Sequence, residues 1–220
     1  AAQKLRKDAD EEKKAEIETQ ISKLVHASEH GDVNVLTSFE SAYKPVLDGM
    51  LATLSRLGIS FDTFTKESTF VVDGSVAKLM RTLDALPIAD TAENGAGFLD
   101  LGQRGLKGKT EFFYRRGDGS SLYATRDVAY HKWKWSQSTR LINVLGEDHK
   151  LQAKQVGLTL EELNQQRPEV LFYSFIKLPE GKMSTRQGNV VFMDDLLEEA
   201  HAQAADAVSY THLRAHETKT

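Results

Sequence analysis

The sequence predicts an α/β fold that contains a mostly parallel sheet. Residues 139–145 and 170–178 are short, mainly apolar runs with β-branched and aromatic side chains, a composition typical of strands that are buried on both faces. Each run is followed by polar or Gly-containing residues and then by a helical pattern. This alternation favours an open α/β architecture, in which ligands bind at the carboxyl ends of the strands.

The composition is that of an ordinary soluble protein. The 220 residues are 40% hydrophobic and 27% charged, with a formal net charge of −4, which argues against a general nucleic-acid-binding protein. No apolar run approaches the roughly 20 residues that span a bilayer, and no secretory signal opens the chain. The sequence has no cysteine, which excludes disulfides and thiolate metal sites and is compatible with the cytoplasm. We therefore expect neither a membrane nor DNA as a partner.

A charged amphipathic helix is expected within residues 1–30, and Gly31 ends its pattern. The charged opening of the chain suggests a sequence cut from a longer one. The helix has a weak apolar stripe made of Ile17, Ile21, Leu24 and Val25.

The end of this helix carries a pattern that can bind a metal. His26, Glu29 and His30 match the His-x-x-Glu-His pattern of inverted zinc peptidases, in which the two histidines share a helical face and the glutamate acts as a base. The alternative is a set of exposed polar residues, and no downstream carboxylate helix supplies the third ligand that such sites require.

Two more helices and a β segment follow. Residues 37–40 form a capping box that predicts the start of a second helix, Pro45 predicts a kink or a later start, and Gly58 ends the pattern. Residues 59–68 are expected to form a strand and a loop. A third helix is expected after residues 73–75, with an apolar face made of Val76, Leu79, Met80, Leu83 and Leu86.

Residues 95–101 and 109–116 are expected as strands joined by Gly-rich turns. Residues 117–119 have the composition of a tight turn. The short third helix and the β element that follows it look like an insertion between the two halves of a nucleotide-binding fold.

The junction after this turn carries a candidate binding pair. Tyr123 and Asp127 are four positions apart, so they can line one pocket at the start of a helix that Thr125 is expected to cap. An ionised aspartate there can bind a guanidinium through two parallel charge-assisted hydrogen bonds. The alternative is that Asp127 caps its helix and Tyr123 packs in the core.

A second candidate group follows residues 139–145. Gly146 allows a ligand to approach the backbone, Asp148 can accept hydrogen bonds from ribose hydroxyls, and His149 can donate to a nucleotide. Gln152 is a further candidate for contact with a nucleotide or an amino acid. The alternative for His149 is an ordinary residue at the start of a helix.

The loop of residues 178–189 carries Lys182 near its centre, with Ser184 and Arg186 close by. Two cations, a hydroxyl and free backbone N–H groups suit a polyphosphate, whose charge grows during phosphoryl or nucleotidyl transfer. The loop is not a Walker loop, because Lys182 is followed by Met183 instead of Ser or Thr.

A helix capped by Asp194 or Asp195 is expected after this loop. Residues 208–220 show no sustained helical stripe and are interpreted as a non-native or disordered tail. Residues 1–119 then form the charged helix, helical segment and β insertion, and residues 120–207 form the second half of the nucleotide-binding fold.

The string Lys-Met-Ser-Thr-Arg at residues 182–186 resembles the second signature of class I aminoacyl-tRNA synthetases, and its surroundings resemble the arginyl-tRNA synthetase version. The family's second signature lysine falls on Thr185 here, so the resemblance assigns the catalytic role to Lys182, with Arg186 as an alternative replacement for the missing lysine. It also implies that Lys182, Met183 and Ser184 contact ATP.

Two further blocks resemble the same family. Residues 116–127 are similar to the block whose tyrosine and aspartate hold substrate arginine, which implies that Tyr123 and Asp127, with Gln152 as a further candidate, bind arginine. Residues 146–149 are similar to a Gly-x-Asp-His block that follows the family's fourth strand. The ATP-binding residues that this block implies are Gly146, Asp148 and His149.

The resemblance implies a partial Rossmann-like catalytic domain with a helical and β insertion. It also implies ATP-dependent ligation of L-arginine to its tRNA through arginyl-adenylate. ATP would be a substrate accompanied by Mg²⁺, and tRNA would have to bind before the amino acid is activated. The first signature of the class, His-x-Gly-His, does not occur in the sequence. We therefore expect a catalytic-domain fragment that is inactive alone.

Three other functions remain open at this point. One is a class I synthetase for another amino acid, and a second is a zinc peptidase that uses His26, Glu29 and His30. The third is a non-catalytic, helical RNA-binding module, which the charged amino-terminal segment suggests.

Overall fold

The computed structural model describes residues 10–174 and 190–217, with side chains placed as far as residue 208. It divides into two compact units. The first comprises Ala1–Tyr43 and Thr63–Ser174, and the second comprises Lys44–Asp62 and Phe175–Thr220. These boundaries differ from the sequence-based divisions after residues 119 and 207, which stay a prediction.

In the described part of the first unit, four helices precede three strands, and helices and strands alternate only from the third strand onward. The helices of the described residues, two of which lie partly or wholly in the second unit, are α1 (Glu11–Glu29), α2 (Val33–Arg56), α3 (Ser68–Val72), α4 (Ser75–Asp84), α5 (Tyr123–Gln137), α6 (Lys150–Glu162) and α7 (Met193–Glu217). The strands are β1 (Ala89–Thr91), β2 (Gly97–Asp100), β3 (Glu111–Arg115), β4 (Ile142–Gly146) and β5 (Glu169–Tyr173).

Helix α1 confirms the predicted amino-terminal helix. The Asp10 side chain caps it by accepting a hydrogen bond from the Lys13 amide at 2.9 Å. At its other end Gly31 adopts a left-handed φ of 76°, and the Asp32 amide donates to the Ala27 carbonyl at 3.0 Å. A glycine in this conformation is a common end for a helix, because it has no Cβ to clash.

Helix α2 begins earlier than the sequence predicted. The Asp32 carboxylate accepts hydrogen bonds from the amides of Asn34 (2.9 Å) and Val35 (3.1 Å), so the helix is capped there and starts at Val33. The predicted capping box at residues 37–40 is therefore wrong. The helix also runs on past Pro45.

The end of α2 agrees with the prediction. Gly58 has a φ of 71°, the Gly58 amide donates to the Ser55 carbonyl and the Ile59 amide donates to the Leu54 carbonyl, both at 3.0 Å. This pair of hydrogen bonds is the Schellman pattern that ends many helices.

The expected strand within residues 59–68 is wrong, because residues 59–67 form a loop and none of them pairs with a described strand. The two strands expected at 95–101 and 109–116 are present as β2 and β3. They form a three-stranded antiparallel sheet with β1, whose three residues were not predicted. The expected turn at residues 117–119 is confirmed by the Gly119 φ of 85°.

The core of the first unit lies between this antiparallel sheet and helices α4, α5 and α6. The predicted apolar face of α4 points into it, since Val76, Leu79 and Leu83 are buried. The side chains with no exposed surface that meet there include Leu83, Leu99, Leu101, Val128 and Leu160. Helix α5 is thus held by this well-packed core.

Strands β4 and β5 form a parallel pair, as the sequence predicted. The prediction that both strands are buried on both faces is wrong: Val144 is 64% exposed and Leu171 is 59% exposed. Side chains alternate between the two faces of a strand, and these two are register partners, so they lie on the same face of the pair. Residues 175–178 of the predicted second strand lie outside the described residues.

Helix α7 begins at Met193, so Asp194 and Asp195 lie in its first turn and neither caps it as predicted. Asp194 instead accepts hydrogen bonds from the Thr53 hydroxyl (2.9 Å) and the Arg56 guanidinium (2.7 Å) within the second unit. The backbone is helical as far as Glu217, although the sequence has no sustained helical stripe there, and the interpretation of residues 208–220 as a non-native or disordered tail stays a prediction. Among the helices of the described residues, none has the length and apolar character needed to cross a membrane.

The core packing leads to a stability prediction. Leu83→Ala should lower the free energy of unfolding by about 3 kcal/mol, because it removes a fully buried side chain and leaves a cavity. Chemical denaturation followed by tryptophan fluorescence measures this, since Trp133 and Trp135 both lie on α5. The matched control is Leu24→Ala, whose side chain is 46% exposed and whose effect should stay within about 0.5 kcal/mol. Equal effects of the two substitutions would contradict the description of the core.

Candidate active site

An open cavity of about 480 Å³ lies beside β4 in the first unit, a volume in the range of small-molecule sites. Helices α5 and α6 supply most of the polar side chains around it. Its lining consists of Glu67, Tyr123, Asp127, Tyr130, His131, Lys134, Ile142, Asn143, Val144, Leu145, His149, Gln152, Ala153, Val156 and Pro168.

The start of α5 sets the direction of the two predicted binding residues. The helix begins at Tyr123, so Thr125 does not cap it as predicted. Thr125 is fully buried inside the helix, and its hydroxyl donates a hydrogen bond to the Tyr114 carbonyl of β3. Tyr123 and Asp127 are therefore one turn apart on the same helical face, and both line the cavity.

Gln152 of α6 joins these two side chains. Its amide nitrogen donates to the Tyr123 hydroxyl and to Asp127 Oδ2, the latter at 3.1 Å. Tyr123 is 47% exposed and so is not packed in the core. Asp127 lies inside α5 and so does not cap it. The three side chains present a hydroxyl, an amide and a carboxylate to one cavity.

The other oxygen of Asp127 contacts α5 itself. His131 Nδ1 lies 3.1 Å from Asp127 Oδ1 and 2.8 Å from the Asp127 backbone carbonyl. Burial of the Asp127 carboxylate, whose side chain is 24% exposed, acts to raise its pKa. The hydrogen bonds from His131 and Gln152 and the nearby Lys134 charge outweigh burial, so the pKa is lowered. The carboxylate is therefore ionised at neutral pH.

Lys134 is the cation of the cavity lining. Burial lowers the pKa of its ammonium, and the attraction of Asp127 only partly opposes this. The ammonium also lies 4.6 Å from the centre of the Tyr130 ring, a distance typical of cation–π contacts.

The predicted nucleotide-binding residues lie at the carboxyl end of β4. A Cβ on Gly146 would lie 2.7 Å from Asp148 Oδ1, so glycine allows this carboxylate to approach the backbone. His149 Nδ1 lies 3.4 Å from the side-chain oxygen of Gln152, and His149 Nε2 lies 3.7 Å from Asp148 Oδ2. Gln152 thus connects His149 to Asp127, and the two predicted groups of site residues adjoin each other.

The structure does not bring every predicted site residue to the cavity. Gly146 and Asp148 lie next to it but do not line it. Lys182, Met183 and Ser184 lie outside the described residues, so their predicted roles stay predictions.

One lining residue was missed by the sequence analysis. Glu67 brings a second carboxylate to the cavity, and Arg126 Nε holds it at 3.2 Å. Glu67 lies in the segment that was expected to form a strand and a loop, and no motif there marks it. Its role depends on long-range contacts that the sequence pattern does not encode.

The residues of the alternative zinc pattern are engaged in other contacts. Glu29 accepts hydrogen bonds from the Ser121 hydroxyl and the Arg126 guanidinium, and the rings of His26 and His30 stack with centres 4.0 Å apart. Across residues 10–174 and 190–217, no group of three or more His, Cys, Asp or Glu is placed to hold a metal ion. The Glu29 contacts fix α1 to the residue that precedes Asp127.

Comparison with known families gives a match along almost the whole chain. Residues 2–215 match the family model described as tRNA synthetases class I (R), catalytic domain. The arginine–tRNA ligase of Methanocella arvoryzae is 44% identical over 189 residues, which are 86% of this chain and 33% of that protein. The arginine–tRNA ligase of Methanothermobacter thermautotrophicus is 42% identical over 192 residues, or 87% of this chain and 33% of that protein. The chain thus spans about a third of the length of these curated relatives.

Solved structures support the fold. The arginyl-tRNA synthetase of Thermus thermophilus superposes with a TM-score of 0.69 at 20% identity, covering 93% of this chain and 39% of that one. The enzyme of that name from Plasmodium falciparum superposes with a TM-score of 0.66 at 12% identity, covering 99% of this chain and 38% of that one. These agreements confirm the α/β class I synthetase fold that the sequence predicted.

The contacts of Asp127 predict a pH-dependent stability. Because the folded pKa of Asp127 is lowered, its ionised form stabilises the fold above the unfolded pKa of about 3.9. That contribution is lost as the pH falls through the folded value. Asp127→Asn should therefore lower the free energy of unfolding by about 1 kcal/mol or more at neutral pH, and this difference should shrink in acid.

Denaturant unfolding of the native protein and of the Asp127→Asn variant, from neutral pH into acid, measures this difference in the free energy of unfolding. Asp90→Asn, at an exposed aspartate of β1, is the matched control and should show a much smaller pH-dependent difference. A difference for Asp127→Asn that stays constant from neutral pH into acid would show that the carboxylate charge is not what stabilises the fold.

Proposed function

The chain belongs to the class I tRNA synthetase (R) catalytic-domain family, and from that premise we propose that it forms part of an enzyme that joins L-arginine to its tRNA. In the first step, an oxygen of the arginine carboxylate attacks the α-phosphorus of ATP, which gives arginyl-adenylate and releases pyrophosphate. In the second step, a terminal ribose hydroxyl of the tRNA attacks the arginyl carbonyl carbon, which gives the arginyl ester and releases AMP.

The observation that carries this proposal is the convergence of Tyr123, Asp127 and Gln152 in one cavity. An ionised carboxylate has about four lone-pair sites, and His131 and Gln152 use one on each oxygen of Asp127. One site on each oxygen remains for the two parallel N–H groups of a guanidinium. Tyr123 can accept a third hydrogen bond from the same group.

The charge of the cavity also favours a cationic side chain. Asp127 and Glu67 bring two carboxylates to the lining, against the single ammonium of Lys134. A substrate without a guanidinium would leave the Asp127 carboxylate unpaired, and such a loss can discriminate by roughly 10⁴-fold. Arginine is therefore the substrate that this lining fits best.

We assign ATP to the end of β4 that adjoins this cavity. Gly146 allows close approach to the backbone, Asp148 offers a carboxylate to the ribose hydroxyls, and His149 offers a ring nitrogen to the nucleotide. In this proposal Lys182 stabilises the charge that develops on the phosphates, and Met183 and Ser184 complete the contact with ATP.

Mg²⁺ would accompany ATP and neutralise part of the phosphate charge when bound. Within the described residues no cluster of three or more acidic or histidine side chains could hold the ion. The donor set of this part of the chain therefore does not fit a protein-held Mg²⁺, and we derive no step through it. The remaining partner in the proposal is the tRNA for arginine, and the compartment is the cytoplasm, where tRNA is consumed in protein synthesis.

The second candidate function is a class I synthetase for another amino acid, because the family shares its nucleotide chemistry across many substrates. The placement of Asp127 favours arginine over this alternative, since an ionised carboxylate in a partly closed cavity suits a cationic side chain. A zinc peptidase is disfavoured because Glu29 is already paired with Arg126.

The first functional prediction concerns Asp127. In the protein encoded by the complete open reading frame, assayed by pyrophosphate exchange into ATP with arginine tRNA present, Asp127→Asn should raise the KM for arginine about 100-fold or more. The KM for ATP should change little, because Asp127 contacts the amino acid side of the site. Asp90→Asn is the matched control. Normal use of arginine by the Asp127→Asn variant would favour the synthetase for another amino acid.

The second functional prediction concerns Lys182. Lys182→Ala should lower kcat for the same exchange by about 10²–10³-fold, the loss typical of removing one group that stabilises transition-state charge. The KM for arginine should stay close to the native value. Lys107→Ala, at an exposed lysine outside the cavity lining, serves as the control. A variant at Lys182 with unchanged kcat would remove this lysine from the mechanism.

A further inference from the structure

Three further polar side chains of the cavity lining, His131, Lys134 and Asn143, lie next to Asp127, and the function proposed above gives none of them a contact with the substrate. His131 is buried, with 4% of its surface exposed, and its Nδ1 lies 3.1 Å from Asp127 Oδ1. On its far side, Nε2 lies 2.8 Å from Asn143 Nδ2 and 3.1 Å from Lys134 Nζ. These side chains therefore form a row that runs from the cavity through α5 to strand β4.

The hydrogen bonds at the far end fix which nitrogen of His131 carries the hydrogen. Lys134 Nζ can only donate, and it lies 3.1 Å from Asn143 Oδ1, so the oxygen of the Asn143 amide faces the ammonium. The amide nitrogen of Asn143 then faces His131 and donates to Nε2. Because Nε2 accepts, the hydrogen lies on Nδ1, which shares it between the Asp127 backbone carbonyl at 2.8 Å and Asp127 Oδ1 at 3.1 Å.

The part of this shared hydrogen bond that reaches Oδ1 is what holds Asp127 Oδ1 in place. Without it, the carboxylate could rotate about its side-chain torsions, because Gln152 contacts only Oδ2. With one hydrogen bond on each oxygen, the plane of the carboxylate is fixed, and the remaining lone pairs keep one direction. A guanidinium binds through two parallel hydrogen bonds only when that plane is oriented correctly.

Resting on the function proposed above, we propose that His131 is a positioning residue for arginine: locked by Asn143 and Lys134, it orients the Asp127 carboxylate toward the substrate guanidinium. Both ring nitrogens of His131 are already bonded to protein groups, so it acts through Asp127 and not by contact with the substrate. The same contact with His131 contributes to the lowered pKa of Asp127, so the carboxylate that it orients is ionised.

A purely structural role is the competing explanation, because the same row ties α5 to β4. Two isosteric variants separate these roles. In His131→Asn the side-chain nitrogen takes the place of Nδ1 and can still donate to Asp127. In His131→Gln the amide reaches toward the place of Nε2, and the donor to Asp127 is lost. Both variants carry one buried amide, so they place similar demands on folding.

The experiment measures pyrophosphate exchange on the complete open-reading-frame protein and determines KM for arginine and for ATP separately. His131→Gln should raise the arginine KM about tenfold or more, as expected when a hydrogen bond to a charged group is lost. His131→Asn should stay within about threefold of the native value. The ATP KM should change little in either variant. His30→Asn and His30→Gln, at the exposed histidine that follows α1, are the matched controls.

Equal arginine KM values in the two His131 variants would overturn the proposal, as would arginine and ATP KM values that rise together. If His131→Gln does not fold, the variant Asn143→Leu decides, because it removes the nearer of the two donors to Nε2 and leaves only the contact with Lys134. It should raise the arginine KM about threefold, and an unchanged value would overturn the proposal. If the native protein shows no arginine-dependent exchange, both the proposed function and this inference are wrong. If it is active but the two His131 variants have the same KM for arginine, only this inference is wrong.

Discussion

The ionised carboxylate of Asp127 is the group on which the organisation of the site depends. Water would solvate this charge in an unfolded chain, and burial removes part of that solvation, which is unfavourable unless the protein supplies hydrogen bonds in return. His131 from the same helix and Gln152 from α6 supply them. The relative placement of α5 and α6 in the first unit is therefore constrained by the solvation of a single side chain as well as by apolar packing.

The first turns of α5 show how this constraint is built into the fold. Thr125 bonds to β3, Arg126 pairs with Glu29 of α1 and with Glu67, and Val128 is buried in the core. Asp127, between them, faces the cavity. Since successive residues of a helix point about 100° apart, each neighbour of Asp127 contacts a different part of the first unit, and these contacts together set the direction of the carboxylate.

Local signals explain what the sequence could predict. Gly31 and Gly58 end their helices in a left-handed backbone conformation, which glycine adopts easily and which the local sequence therefore predicts. The four-residue spacing of Tyr123 and Asp127 likewise places them on one helical face. Long-range contacts explain what it could not predict. Asp32 and Thr37 are both residue types that cap the start of a helix, so the local sequence does not decide at which of them α2 begins. The burial of β4 and β5 depends on what covers the sheet, and Glu67 reaches the cavity only because of the fold around it. The loop with Lys182 carries the most specific motif of the sequence, yet it lies outside the described residues.

The contacts of residues 125–128 also bear on how the specificity of this site can evolve. Insertion of one residue into the start of α5 would turn every later side chain by about 100°. The contacts of these side chains with β3, α1, the cavity and the core would then all be lost together. Changes of chain length are therefore expected in the preceding turn at Gly119, which has no atoms near the place a Cβ would take, and not at Gly117, where a Cβ would clash with the Asn94 carbonyl. A lineage could acquire a new amino acid preference within α5 by substitution at a fixed helical register, and not by shifting that register.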